Sequence, residues 1–371
     1  MKKMPSPKHY KTPDGHWKSE RNLALQHRAL MHDYQSRGVY MITLTTNNRK
    51  PLFGTLDIAS ATIHPSDLGN LISQEWNAIP SHVPQIKTLD FQLMPDHLHG
   101  LLRVTAHLDK PIGQIIRQYK MRCTSLHRAL MHDQTPLPSV LPGKASLTIE
   151  QRKQIASSSL WEPNYNDRIA YSKQRLETLR AYIHDNPRRL AEMRKHPSYF
   201  ALMQNLTIPT TNGPLWFRAM GNRDLLDAPQ KQVIQCSRSL TDGNHNTEYR
   251  ALMHDLLTKA QNGFVSLSAA ISKGEQIICR TIREQKLPLI ILLKDGFPKP
   301  EDPHIKYYKP GGMLFEACSH GRLLLLEPKI DVFEREDIEK VVHRKSPIAP
   351  IESDRYRFLA LNEIARMICQ R

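Results

Sequence analysis

The most constraining stretch of the chain is residues 91–102, in which two histidines stand two residues apart between apolar residues. Side chains of a β-strand alternate between the two faces of a sheet, so His97 and His99 are predicted on one face and Leu98 on the other, inside the protein. Pro95-Asp96 before them is typical of a turn. Two such imidazoles could each give a nitrogen to one divalent metal ion. The alternative is an ordinary pair in a chain that has 18 histidines.

A second group of polar residues lies in a segment with helical spacing. Leu176, Leu179 and Ile183 recur at the intervals of one helix face. Tyr182 and Asn186 are four residues apart, so they share another face of the same helix. A phenol can attack phosphorus, and an amide oxygen can complete the ligand shell of a metal ion. The two histidines, the tyrosine and the asparagine therefore form a chemically coherent set.

Three motifs together resemble the single-tyrosine HUH transposases and, among them, the REP-associated tyrosine transposases. The motifs are Met94-Pro95-Asp96-His97-Leu98-His99-Gly100, Leu160-Trp161-Glu162-Pro163-Asn164-Tyr165 and Tyr182-Ile183-His184-Asp185-Asn186-Pro187. Their order and spacing match that family over residues 33–194, about half of the chain. The resemblance implies an α+β, ferredoxin-like HUH nuclease domain with the two histidines on a central strand.

The resemblance also implies an activity, the metal-dependent cleavage and rejoining of single-stranded or hairpin DNA by a transposase. His97 and His99 would hold Mg²⁺ or Mn²⁺. Asn186 would be a third ligand, at a position where the wider family often has glutamine. Tyr182 would attack the scissile phosphate, leaving a 5′-phosphotyrosine and a free 3′ hydroxyl. A phenol has a pKa near 10 and is a poor nucleophile at neutral pH, so the reaction needs a positioned phosphate and a metal ion.

Other nucleophiles and other functions are open at this stage. Tyr119, Tyr165 and Tyr171 are rivals of Tyr182, although Tyr119 could contact DNA and Tyr165 could pack on Trp161. Water could replace the phenol in a metal phosphodiesterase. From a different class, the chain could be a catalytically inactive DNA-binding or regulatory protein that retains the fold.

The charge of the chain favours a polyanionic partner. The formal net charge is +16 and the isoelectric point is about 9.6, which points to nucleic acid. A charged helix face is often just solvated, but here we expect phosphate contacts from a predicted helix at 111–123 and from the residues that follow the tyrosine motif. The predicted DNA-binding residues are Arg117, Lys120, Arg122, Arg188 and Arg189.

Cysteine spacing and hydropathy set the expected compartment. The five cysteines are scattered, odd in number and without the spacing of a zinc site, which predicts reduced thiols in a cytoplasmic, nucleoid-associated protein. No apolar run is long enough to span a membrane and no signal peptide is evident, so no membrane partner is expected. A homodimer is left open.

Composition divides the chain into four segments. Residues 1–34 are polar and basic and are predicted to form a flexible arm, which either lies along phosphates or is an inert tail. Residues 35–205 contain the three motifs, and the resemblance implies that they form the HUH transposase-like catalytic domain, with one sheet and helices on one face. Residues 206–214 contain Pro209, Asn212 and Gly213 and predict a linker. Residues 215–371 predict an accessory domain.

The accessory domain is predicted as a parallel α/β sheet, because short apolar runs at 232–236, 263–267, 289–293 and 323–326 alternate with helical segments. It distantly resembles the Rossmann-like domain of DNA-processing protein A through Gly221-Asn222-Arg223-Asp224-Leu225-Leu226, Val233-Ile234-Gln235-Cys236-Ser237-Arg238 and Leu361-Asn362-Glu363-Ile364-Ala365. Cys236 replaces a usual glycine, and the glycine-rich phosphate signature is missing. Ser272-Lys273-Gly274-Glu275 predicts a helix start, either a plain N-cap or an anion site.

One hexapeptide, Arg-Ala-Leu-Met-His-Asp, occurs three times, at residues 28–33, 128–133 and 250–255. The spacing is not that of a solenoid. With suitable codons, and a preceding codon that ends in AT, it is encoded by ATCGTGCATTAATGCACGAT, which is its own reverse complement. His27, His127 and Tyr249 can all have such a preceding codon. We therefore expect a palindromic DNA repeat inside the gene.

Overall fold

The computed structural model describes residues 9–11, 17–19, 32–131, 159–210, 213–236, 247–297, 310–329 and 354–370. It divides into two compact units, Met1–Ala191 and Glu192–Arg371. Most of the predicted arm at 1–34 lies outside the described residues. Within it, strands β1 (His9–Lys11) and β2 (Trp17–Ser19) pair antiparallel.

The first unit is built on a four-stranded antiparallel sheet in the order β6-β7-β3-β8. The elements alternate as β-α-β-β-α-β around this sheet, the order of the ferredoxin-like motif. A separate two-stranded sheet, β4-β5, precedes the first helix. The elements are β3 (Gly38–Thr45), β4 (Gly54–Asp57), β5 (Thr62–Pro65), α1 (Asp67–Asn77), α2 (Ile79–His82), β6 (Ile86–Met94), β7 (His97–Val104), α3 (Ile112–Leu130), β8 (Asn166–Ile169) and α4 (Lys173–Lys195).

Alternating side chains place helices on both faces of this sheet. Ile42 of β3 and Leu98 of β7 are fully buried in the core that includes residues of α1 and α3. Their neighbours Met41 and Leu101 point the other way and pack with Leu179 and Ile183 of α4. The expectation of helices on one face is therefore wrong, because α4 has an apolar stripe of its own and covers the opposite face.

One glycine on β7 lets a large side chain approach the sheet. Gly100 lies on the α1 face, where an added Cβ atom would be 2.2 Å from Cζ2 of Trp76. Trp76 is fully buried and packs edge-on against Tyr119 of α3. The close contact between indole and backbone explains why the histidine strand has no side chain at this position.

The second unit is a six-stranded mixed sheet in the order β11-β12-β13-β14-β10-β9. The first four strands are parallel, as predicted, and β10 and β9 add antiparallel strands at one side. The elements are α5 (Pro197–Phe200), β9 (Met203–Thr210), β10 (Gly213–Gly221), β11 (Lys231–Val233), α6 (Thr247–Gln261), β12 (Val265–Ser268), α7 (Lys273–Glu284), β13 (Leu289–Leu292), α8 (Gly312–Ser319), β14 (Leu323–Pro328) and α9 (Asp354–Cys369).

The predicted linker at 206–214 is wrong. Thr207 pairs with Trp216 and Pro209 with Pro214, so this segment forms most of a hairpin that completes the second sheet. Pro209 is tolerated because β9 is an edge strand. The boundary between the two units falls earlier, between Ala191 and Glu192, within α4.

The parallel strands differ from a doubly wound Rossmann sheet in their order. They follow one another without reversal, so right-handed crossovers put α6, α7 and α8 on the same face. Those helices share one apolar core, and α9 belongs to the core of the other face. The crevice where a doubly wound sheet reverses its order is absent from these four strands. The start of α7 is a capping box between Ser272 and Glu275, which supports the plain N-cap.

None of the helices within the described residues is both long enough and apolar enough to cross a membrane.

Candidate active site

The two histidines lie at the start of β7, the second strand of a tight hairpin. Met94 pairs with His97 across the turn Pro95-Asp96. The turn is held from outside, because Phe53 donates its N–H to the Pro95 carbonyl at 2.9 Å. Thr46 donates its N–H and its hydroxyl to the Asp96 carbonyl, each at 2.9 Å. The histidine pair is therefore attached to a rigid turn in a central strand.

The imidazole rings are adjacent and oriented by separate partners. Their centroids are 4.9 Å apart with an interplanar angle of 83°. His97 donates Nδ1–H to the Asp96 carboxylate at 2.6 Å, and Nδ1 of His99 hydrogen-bonds the Thr43 hydroxyl at 2.8 Å. Each bond engages Nδ1, which leaves Nε2 as the nitrogen through which either ring could ligate a cation. Such outer partners are typical of metal-binding histidines.

Burial and charge favour a neutral His99. The side chain is 4% exposed. Burial, followed by the charges of His97, Arg168 and Arg49, lowers the pKa of His99 well below its ordinary value. A neutral imidazole has the free lone pair that a metal ligand needs.

Asp96 is kept ionised beside the pair. Burial raises the pKa of Asp96, but the hydrogen bond and charge of His97 and the Arg49 guanidinium outweigh it and lower the pKa to about 2. Arg49 Nη1 is 3.3 Å from the Asp96 carboxylate. The carboxylate therefore fixes the orientation of His97 throughout the physiological pH range.

Tyr182 of α4 lies next to the histidines on the same face of the sheet. Its ring centroid is 5.4 Å from that of His99. Cζ of Arg168 lies over the ring, 5.5 Å from its centroid. Two motifs that are about 80 residues apart in the chain are thus brought together around one phenol.

Asn186 lies one helical turn after Tyr182, as its spacing predicts. Its side-chain Nδ2 donates to the Tyr182 carbonyl at 2.6 Å, so the amide oxygen is the atom that it could offer to a cation. Within the described part of the chain, no group of three or more His, Cys, Asp or Glu residues could hold a metal ion. A cation at this site would therefore combine imidazole nitrogens with an amide, phosphate or water oxygen. Because imidazole suits transition metals, this donor set fits Mn²⁺ better than Mg²⁺.

The rival tyrosines are placed differently. Tyr119 is fully buried and donates its hydroxyl to the Ile72 carbonyl at 3.0 Å. Burial, with smaller contributions from Cys123 and Glu75, raises the pKa of Tyr119 well above its ordinary value. Tyr165 packs against the core of the first unit, and Tyr171 is 73% exposed beside His32. Of these tyrosines, Tyr182 is the one in ring contact with His99.

The predicted DNA-binding residues do not form a uniform basic surface. Lys120 Nζ donates to the carbonyls of Glu162 at 2.6 Å and Asn164 at 3.2 Å, so it braces a loop. Arg122 pairs with Glu75, and Arg188 forms a two-point pair with Asp185. Arg117 is exposed and Arg189 is half-buried.

Three residues at the site have no role in the sequence motifs: Thr43, Arg168 and Arg49. Thr43 could have been found from strand register, because it pairs directly with His99. The others reach the site through contacts across the fold, which leave no local signal in the sequence.

Three comparisons place the chain among known proteins. It is 30% identical over 167 residues, 45% of its length, to an uncharacterized protein of Haemophilus influenzae, 87% of which is covered. A solved REP-associated tyrosine transposase bound to a REP hairpin has a TM-score of 0.28 at 13% identity, covering 43% of this chain and 73% of that one. A Deinococcus radiodurans structure has a TM-score of 0.26 at 13% identity, covering 43% and 95%. No protein-family model matches the chain. The functional argument therefore rests on the geometry of the site.

Proposed function

The chain belongs to the same protein family as the uncharacterized Haemophilus influenzae protein, and we propose that it is a transposase-like enzyme that cleaves and rejoins single-stranded or hairpin DNA through a covalent bond to Tyr182. The observation that carries the proposal is the contact between Tyr182 and His99, whose ring centroids are 5.4 Å apart. The contact brings the candidate nucleophile and the histidine pair into one site. The motif resemblance to single-tyrosine HUH transposases agrees with this chemistry.

In the proposed reaction, the Tyr182 oxygen forms a bond to the scissile phosphorus while the bond from phosphorus to the 3′ oxygen breaks. The phenol proton leaves to solvent, and the departing 3′ oxygen takes up a proton. The products are a 5′-phosphotyrosine and a free 3′ hydroxyl, and reversal of the step rejoins the strand without ATP. One phosphodiester bond is broken and one is formed, so their number does not change.

Each residue of the site has its own role in the proposed reaction. His97 and His99 would hold Mn²⁺ or Mg²⁺, with Asn186 as a further oxygen ligand. A bound divalent cation would neutralise charge that develops on the phosphate oxygens. Arg168 provides a permanent positive charge beside the phenol, where a phosphate needs one. Asp96 and Thr43 keep the imidazoles oriented.

The test is covalent trapping with a pool of single-stranded DNA hairpins that carry randomised flanks, so that the target sequence need not be known. The protein is incubated with the pool and Mn²⁺ and separated on a denaturing gel. We expect a protein band linked to DNA that is lost in Tyr182→Phe and His97→Ala. Tyr171→Phe, the removal of an exposed tyrosine outside the site, is the matched control and should retain the band.

Each other outcome supports an alternative. Cleavage that persists in Tyr182→Phe without an adduct would identify a metal phosphodiesterase that uses water. DNA binding without cleavage of any hairpin in the pool would identify a DNA-binding or regulatory protein that retains the fold. The +16 net charge predicts binding in all of these cases, so binding alone does not separate them.

A further inference from the structure

The orientation of α4 decides where Tyr182 points. Residues advance by about 100° around a helix, so Arg180 and His184 share one flank while Tyr182 lies on the opposite flank. Between the two flanks runs the apolar stripe with Leu179 and Ile183. The helix therefore lies on the sheet with a basic flank on one side and its candidate nucleophile on the other.

Asp90 of β6 binds the basic flank at two points. Its Oδ2 accepts from Arg180 Nε at 2.8 Å, and its Oδ1 accepts from His184 Nε2 at 2.7 Å. The Asp90 side chain is only 15% exposed, whereas those of Arg180 and His184 are 37% and 60% exposed. One carboxylate thus ties two successive turns of α4 to an edge strand of the sheet.

The buried apolar cluster between this helix and the sheet is small. In the described part of the chain, it joins Met41 and Leu101 of the sheet to Leu179 and Ile183 of the helix, and partly buried side chains, Tyr182 among them, pack around it. A side-chain atom lies about 5–6 Å from the helix axis, so a rotation of about 10° moves it about 1 Å. A displacement of about 1 Å in a reacting group can lower a rate about 100-fold.

We propose that Asp90 is a positioning residue, which fixes the rotation of α4 through Arg180 and His184 and so holds Tyr182 beside His99. The inference rests on the proposed function of Tyr182. Asp90 has no part in bond making, and it does not touch the phenol. Its role is to fix the rotation of α4 about its axis, and thereby the position of the Tyr182 side chain relative to bound DNA.

The test measures Asp90→Asn, which keeps the shape of the side chain and removes its charge. At saturating hairpin DNA, the rate of adduct formation should fall about 10- to 100-fold, while the affinity for DNA without divalent metal stays within about twofold. Glu75→Gln is the matched control, because Glu75 pairs with Arg122 at 2.8 Å and is 25% exposed, on the opposite face of the same sheet. It should lower the melting temperature to a similar extent and leave the adduct rate within about twofold.

Further variants separate positioning from folding. Arg180→Gln removes one of the two hydrogen bonds to Asp90 and should lower the adduct rate less than Asp90→Asn does. If Asp90→Asn does not fold, Arg180→Gln takes its place as the test. The double variant Asp90→Asn/Arg180→Gln should be no slower than Asp90→Asn, because both residues act through one contact. An adduct rate in Asp90→Asn within twofold of the parent would overturn the proposal. Absence of an adduct in the parent protein would instead overturn the function of Tyr182.

A second, independent observation concerns the hexapeptide Arg-Ala-Leu-Met-His-Asp. In the third copy all six residues are helical, within α6. In the first copy the described residues His32 and Asp33 are outside any helix or strand, and His32 hydrogen-bonds the Tyr40 hydroxyl at 2.8 Å. In the second copy Arg128, Ala129 and Leu130 are the last residues of α3, and Met131 follows the end of the helix and is 68% exposed. The His-Asp pair lies outside any helix in the first copy and within a helix in the third, so the described residues show no structural role that all three copies share.

We infer that the hexapeptide is the translation of a self-complementary DNA repeat present three times in the gene. The amino acids already dictate part of the complementarity. The first base of any Ala codon pairs with the first base of any His codon in the proposed string, and the second base of Ala pairs with the last base of Met. The inference does not depend on the proposed function, since it concerns codons alone.

Sequencing the gene tests this inference. We expect the same self-complementary string, ATCGTGCATTAATGCACGAT, at all three sites. Synonymous codons that differ among the copies and break the complementarity would overturn it, because peptide identity would then have been maintained at the protein level.

Discussion

On strand β7, Leu98, Gly100 and Leu102 face helices α1 and α3, whereas His97, His99 and Leu101 face helix α4. The first face is a large apolar core with fully buried Trp76 and Ile116. The second face has a small apolar seam surrounded by imidazoles, carboxylates and guanidinium groups. One face of the sheet stabilises the fold, and this leaves the other free to carry polar residues at fixed positions.

The largest expected difference is between neighbouring residues on opposite faces. His99→Ala should lower adduct formation at least about 100-fold, because a metal ligand contributes several kcal/mol to such a reaction. Leu98→Ala should instead lower the free energy of unfolding by about 2–5 kcal/mol, since the side chain is fully buried. Urea unfolding and gel-based adduct rates at a temperature where both proteins are folded measure the two effects. Equal losses of unfolding free energy in the two variants would contradict the view that only the face of Leu98 stabilises the fold.

Thr43→Val sharpens the polar side of the comparison. Valine keeps the branched shape of the strand residue and removes the hydroxyl that bonds His99 Nδ1 at 2.8 Å. Loss of such an outer partner typically weakens metal affinity or activity about 10- to 100-fold. The concentration of Mn²⁺ that gives half-maximal adduct formation should rise accordingly. An unchanged Mn²⁺ dependence would show that Thr43 does not orient the imidazole.

Gly100→Ala tests the apolar side by adding one methyl group. The new Cβ atom would lie 2.2 Å from Trp76 Cζ2, so the indole or the strand must shift. We expect a loss of about 1–3 kcal/mol in the free energy of unfolding. Chemical denaturation measures this loss. Gly213→Ala cannot serve as the control, because the backbone φ of Gly213 is +109°, where an alanine is strained whatever the space around it. Unchanged or increased stability would mean that the core beside Trp76 has room for a further methyl group.

The smallest expected effect is the pH dependence that Lys120 contributes. Burial lowers the pKa of Lys120 to about 8, against an opposing contribution from Glu162. Between about pH 8 and the ordinary lysine pKa near 10.4, the unfolded chain binds more protons than the folded one, so Lys120 makes stability rise with pH in this window. In Lys120→Met this increment should be absent. Parallel curves of unfolding free energy against pH for the parent and Lys120→Met would contradict the burial argument.

Sequence patterns predicted the elements that are local in the chain. Alternation in residues 91–102 placed Leu98 inside and the two histidines together, and helical spacing placed Tyr182 and Asn186 on one face of α4. Four of the strands of the second sheet also follow from apolar runs of the expected length.

Features that depend on distant partners were not predictable in the same way. Lys120 belongs to the basic face of its helix, which predicts phosphate contacts in so basic a chain, yet its ammonium group donates to the carbonyls of the 162–164 loop. Pro209 and Gly213 are typical of a linker, although they belong to an edge hairpin. Asp90 is an isolated acidic residue in the sequence, and its significance comes only from Arg180 and His184, which lie about 90 residues further on.

The most direct test of the account is to identify the amino acid that becomes linked to DNA. The adduct formed with hairpin DNA and Mn²⁺ would be digested with nuclease and trypsin and analysed by mass spectrometry. The account predicts a 5′-linked nucleotide on Tyr182, within the tryptic peptide of residues 181–188. A nucleotide on Tyr171 or Tyr165, or cleaved DNA with no modified peptide, would contradict it.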